Sequence, residues 1–230
     1  MHLLYIPMNK KEQRFGLMWL GLMLISILLV PVRSGALPEF LFWGGNFTAA
    51  VLIFRKFLKS SFQVPLTPFS TVLKFALLGY ALAFLANLLT NDLIFYFFPR
   101  HFYYNETGPH FENVCKITMA AFARENFPLT AIAMILFVPL VEEIFHRGLI
   151  FGSLVQKNLP LAYLLSTLLF CLIPIIPLWG AYSVDYVILS FIQYIPISLM
   201  LCWIYTRTET LLTPILAHMV MNGVSIFTLR

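Results

Sequence analysis

The chain reads as long apolar runs separated by short polar breaks. Seven runs stand out, at residues 15–32, 41–57, 72–98, 129–154, 159–179, 184–205 and 211–229. A helix needs about 20 apolar residues to cross the hydrocarbon core of a bilayer. None of the runs shows the period-two alternation of a barrel strand, so the pattern predicts an all-α, polytopic transmembrane helix bundle of about seven spans. One ambiguity remains in the count, because the third run is long enough to be a span plus a re-entrant piece, with Asp92 near its end. Gly44-Gly45 weaken the second run, and Pro174 and Pro177 break the fifth. The first run is too long for a removable signal peptide and lacks the small-residue cleavage site.

Composition agrees. Of the 230 residues, 60% are hydrophobic and 11% are charged, against about 25% charged in a soluble domain. A soluble enzyme, a nucleic-acid binder and a disordered chain are all excluded on that ground. The formal charge of +5 is then a matter of topology rather than of nucleic acid. With the N-terminus inside, Lys10, Lys11, Arg14, Arg55, Lys56, Lys59, Lys157 and Arg207 fall on cytoplasmic segments. Arg33, Arg100, Lys116, Arg124 and Arg230 fall on the other side. The one sizeable loop, 99–128, contains the sequon Asn105-Glu106-Thr107. Cys115, Cys171 and Cys202 form no motif, and the last two read as small buried hydrophobes. There is no internal repeat, low-complexity tract or separate soluble domain.

A charged side chain at the bilayer centre costs about 2.5–3.5 kcal/mol on insertion scales, so such residues need a reason. In the fourth run Glu142, Glu143, His146 and Arg147 stand within six positions of one another. Residues four apart share a helix face, so Glu143 can pair with Arg147. Glu142 and His146 are also four apart, on a face turned by about 100°. A carboxylate beside an apolar wall and an imidazole has the surroundings of a general base. In the seventh run His218 and Asn222, again four apart, can present an imidazole and an amide to one cavity. Together these groups suit activation of water and stabilisation of an oxyanion. They equally suit a substrate or ion pathway, or polar glue between helices. Lys74, Asp92 and Gln193 are scattered polar positions in other runs.

Glu142-Glu143-Ile144-Phe145-His146-Arg147-Gly148 resembles motif 1, Glu-Glu-x-x-x-Arg, of the CPBP family. This is the CAAX protease and bacteriocin-processing (ABI) family of intramembrane proteases. Thr206-Arg207-Thr208, then Pro214 to Asn222, looks like its last motif, His-x-x-x-Asn, carried by His218 and Asn222. Ser166-Thr167-Leu168-Leu169-Phe170 looks like the start of its middle motif, Phe-x-x-x-His. The resemblance divides the chain into N-terminal spans and outer loop, 1–128, and core spans, 129–230, within one membrane unit.

The resemblance implies an intramembrane endopeptidase of the glutamate type. Glu142 would match the base that activates water, with Glu143 and Arg147 as its supporting pair. His218 and Asn222 would match the residues that position water and stabilise the oxyanion. The implied partners are the lipid bilayer and a membrane-associated peptide or protein, in the best-known members a prenylated C-terminal CAAX tail. The expected location is a bacterial inner membrane. No cofactor is implied, although the family was once described as metal-dependent. A zinc site would have to draw on Glu142, His146 and His218.

Two positions depart from the family pattern. Where the middle motif ends in His, this chain has Pro174, and His146 stands where an apolar or aromatic residue is usual. One expectation is that His146 supplies the missing imidazole from Glu142's own helix; the other is that it fills an aromatic slot. The rival functions are a pseudoprotease that binds membrane peptides as a chaperone or immunity scaffold, and a small transporter using Glu142, Asp92 and Lys74.

Overall fold

The computed structural model describes residues 8–29, 35–63, 67–101, 103–105, 108–110, 114–176 and 182–228. Each of the seven apolar runs forms a helix. We number the helices α1 (Lys10–Leu29), α2 (Ala36–Ile53), α3 (Arg55–Gln63), α4 (Phe69–Phe97), α5 (Val114–Glu125), α6 (Phe127–Leu154), α7 (Leu159–Ile175), α8 (Val184–Thr208) and α9 (Leu212–Thr228). Among the described residues α2, α4, α6 and α8 are long and apolar enough to cross a membrane, while α7 and α9 are shorter apolar helices. The protein is an integral membrane protein with a helical bundle fold.

Several boundaries differ from the sequence pattern. The second run stops early: α2 ends at Ile53, Phe54 forms a turn, and α3 begins at Arg55. Helix α3 is amphipathic, burying Phe57, Leu58 and Ser61 while exposing Arg55, Lys56 and Lys59, as a helix lying in the membrane interface does. The third run is one uninterrupted helix, not a span plus a re-entrant piece. The 99–128 loop holds a two-stranded antiparallel hairpin, Tyr103–Asn105 with Gly108–His110, and helix α5. In the sequon, Glu106 and Thr107 lie outside the described residues, as do Arg33, Pro177 and Arg230.

Local chemistry explains where the core helices begin. The pattern Asn-x-Pro-Leu occurs at 126–129 and at 158–161. In both, the Asn side chain accepts from the Leu amide three residues on, at 3.2 Å for Asn126 and 3.0 Å for Asn158. The proline sits in the first turn, where its missing N–H costs nothing. Asn9 caps α1, with Glu12 returning to it, and Glu12 Oε1 also accepts from the Phe57 amide at 3.0 Å. A single buried carboxylate thus ties the Asn9 cap of α1 to the first turn of α3.

Helix α6 is the centre of the bundle. The main buried cluster runs through Met23, Phe54, Val141, Phe145, Phe151, Ile173 and Tyr205, so α1, α2, α7 and α8 all pack around it. Helix α4 lies outside, buried only along Val72, Ala76, Gly79, Ala83 and Ile94. Its Gly79 lets α8 approach: a Cβ there would stand 2.7 Å from Ile204 Cγ2. Lys74 and Asp92 are on the exposed side of α4 and do not join the α6 cluster. Gln193 of α8 is bonded to Asn91 of α4.

Candidate active site

Helix α6 is not regular. Its middle turn, Val138–Glu143, is α-helical, but Ala133–Phe137 before it and Ile144–Phe151 after it are π-helical. The Val138 amide donates five residues back to Ala133 O, and the Gly152 amide five back to Arg147 O. Wide turns of this kind are uncommon and concentrate at functional sites. Each changes the face that later residues present, so faces counted at 3.6 residues per turn no longer hold through the segment.

The pairing of Glu143 with Arg147 survives this distortion, with Arg147 Nη1 donating to Glu143 Oε1 at 3.1 Å. Both side chains have no exposed surface. Arg147 Nη2 also donates to the Ser198 carbonyl and to Ser198 Oγ, each at 3.0 Å. The guanidinium lies over the Phe170 ring, 4.6 Å from its centre. A planar fork makes these bonds from two nitrogens while lying over the ring, which an ammonium cannot do.

His218 of α9 stands between the two carboxylates. Its Nδ1 is 2.9 Å from Glu143 Oε1, and its Nε2 is 3.8 Å from Glu142 Oε2. Glu143 pairs with arginine and therefore accepts, so Nδ1 carries a hydrogen. The 3.8 Å gap is too long for a direct hydrogen bond. Glu142 is the more accessible carboxylate, with 13% of its side chain exposed against none of Glu143. The site thus gathers two carboxylates, one guanidinium and one imidazole.

Asn222 does not point where the spacing suggested. Its Nδ2 donates to the Met134 carbonyl of α6 at 2.8 Å. Nor does His146 meet the Glu142 carboxylate. Its Nδ1 lies 2.7 Å from the Glu142 backbone carbonyl, inside the wide turn, and its ring packs edge-on against Phe170 at 5.2 Å. Phe170 also meets His218 edge-on at 5.7 Å, so an aromatic ring stands against both imidazoles. His146 Nε2 is buried without a hydrogen-bond partner among the described residues. Pro174 lies in the last turn of α7, which ends at Ile175.

A zinc site does not fit these donors. Among the described residues no three His, Cys, Asp or Glu side chains converge as a metal set, and His146 turns away from the other two candidates. Cys171 and Cys202 are free and buried.

Sequence reasoning missed Ser198 and the role of Phe170. Ser198 is one of several small polar residues on α8, and nothing in its neighbourhood sets it apart from the equally buried Ser190.

Fold and site define an integral membrane helical bundle with a buried carboxylate–imidazole–carboxylate centre. Residues 124–224 match the family described as Type II CAAX prenyl endopeptidase Rce1-like, a family of membrane proteases. The CPBP resemblance of the motifs is thus shown over the part of the chain that holds them. The chain is also similar to the UPF0177 protein YxdF of Lactococcus lactis, 34% identical over 85 residues. That match covers 37% of this chain and 41% of the relative, so the chain spans well under two thirds of the curated relative's length. No solved structure matches the chain.

Proposed function

We propose that the protein is an intramembrane endopeptidase of the glutamate type. The observation that carries this reading is the position of His218, 2.9 Å from Glu143 and 3.8 Å from Glu142 within a buried, otherwise apolar setting. Glu142 removes a proton from water, and the water oxygen attacks the scissile carbonyl carbon. Glu143, held by Arg147, fixes the His218 ring through Nδ1, leaving Nε2 to stabilise the oxyanion as an N–H donor when the ring is protonated. Glu142 then returns its proton to the leaving nitrogen as the C–N bond breaks. The substrate class is a membrane-associated peptide or protein. A prenylated C-terminal tail is the first to test, given the family description, and a bacterial cell membrane is the setting suggested by the similar Lactococcus protein.

Glu142→Ala and His218→Ala are each expected to abolish cleavage of such a substrate in proteoliposomes, while the protein still inserts and accumulates. Normal cleavage by either variant overturns the mechanism. The pseudoprotease reading draws support from Pro174, which supplies no imidazole in place of the family's histidine. Substrate binding without cleavage, unchanged by Glu142→Gln, favours that reading instead.

A further inference from the structure

Pro139 creates a specific deficit in α6. With the Val138 amide donating to Ala133 O, the register runs five back, and the next donor, at residue 139, would serve Met134 O. Proline has no N–H, so the helix itself cannot supply that bond. A carbonyl left without a donor in a membrane interior is costly, and a neighbouring side chain can meet the need. Asn222 does so, with Nδ2 at 2.8 Å from Met134 O.

Two bonds from one face of α9 thus hold α6 on either side of Pro139. His218 reaches forward to Glu143, and Asn222, one turn on, reaches back to Met134. The order reverses between the two helices, as it must for an antiparallel pair. We infer that Asn222 is a positioning residue. It replaces the backbone donor that Pro139 lacks, and so keeps the Val138–Glu143 turn, with both carboxylates, in register with His218. Its catalytic consequence rests on the peptidase reading above; its effect on α6 does not.

The test is a double-mutant cycle on the full chain in detergent micelles: wild type, Asn222→Leu, Pro139→Ala and the pair. Restoring the residue-139 amide gives Met134 O a donor within the helix, whether the segment stays wide or returns to α. Asn222→Leu is therefore expected to lower Tm by about 2–4 °C when Pro139 is in place, and by less than half as much in the Pro139→Ala background. Equal losses in the two backgrounds overturn the inference. If the Leu variant fails to accumulate, Asn222→Ala runs the same cycle.

The second readout is cleavage. A positioning role predicts a kcat loss approaching about 100-fold at unchanged KM, with much of it recovered by Pro139→Ala. A kcat loss that Pro139→Ala leaves untouched marks Asn222 as an oxyanion donor and overturns the positioning role. If the wild-type protein cleaves nothing, the peptidase reading fails, and the thermal cycle still decides whether Asn222 acts through Met134.

Discussion

Helices α4 and α6 differ by one residue in length and are equally apolar, yet they do opposite jobs. Helix α4 buries one thin stripe, and most of its leucines and phenylalanines face outward. Helix α6 is enclosed around most of its circumference from Val141 to Leu149. Hydropathy cannot separate the two, because lipid and protein core are both apolar solvents for a side chain. The separating feature is charge. Lys74 and Asp92 on α4 remain exposed, whereas Glu143 and Arg147 on α6 are fully buried and paired with one another. Buried charges survive only where the surrounding helices supply partners, so their presence marks the helix at the centre.

The sharpest way to break this contrast is to remove one partner of the buried pair. Arg147→Ala leaves Glu143 uncompensated and is expected to cost about 3–5 kcal/mol, seen as loss of accumulation or a collapsed thermal transition in detergent. Arg147→Lys is expected to recover little, since an ammonium has neither the two-nitrogen fork that reaches Glu143 and Ser198 nor the planar face that lies over Phe170. Close approach comes next. A Cβ at Gly148 of α6 would stand 2.8 Å from Met8 Cε and 2.9 Å from Phe57 Cε1. Gly148→Ala is therefore expected to cost about 1–3 kcal/mol. Gly79→Ala should cost a similar amount, since it strikes the one tight stripe of α4. If Gly79→Ala is neutral, α4 is more loosely docked than its contact with Ile204 implies. The smallest effect belongs to the outer face of α4, where Lys74→Leu should stay within about 0.5 kcal/mol.

The bundle was legible from hydropathy, because seven apolar runs have no other use than helices in a bilayer. The breaks within runs were not. The turn at Phe54 falls inside the predicted second span, because α3 hides Phe57 and Leu58 beneath a basic face that a run of mixed residues does not reveal. The site was legible as a cluster, since Glu142, Glu143 and Arg147 are charges that a span should have excluded. The Glu143–Arg147 pair followed from spacing alone. The orientation of His146 and Asn222 did not, because both depend on π-helical turns that a count at 3.6 residues per turn cannot anticipate. Pro139 was the visible signal of that irregularity. The contact of His218 with Glu143 joins residues 75 apart in the chain, a juxtaposition that only the packing of α9 on α6 creates.

The most direct test is the peptidase activity of Glu142→Gln, which keeps the size of the side chain and removes its ability to take a proton. Wild type and variant would be reconstituted in proteoliposomes with a prenylated C-terminal peptide and a panel of transmembrane peptides, and cleavage followed by mass spectrometry. A hydrolytic centre at His218 and Glu142 predicts cleavage by the wild type, and a loss of about 10²–10⁴-fold in the variant at unchanged thermal stability. Cleavage by Glu142→Gln at the wild-type rate would contradict it.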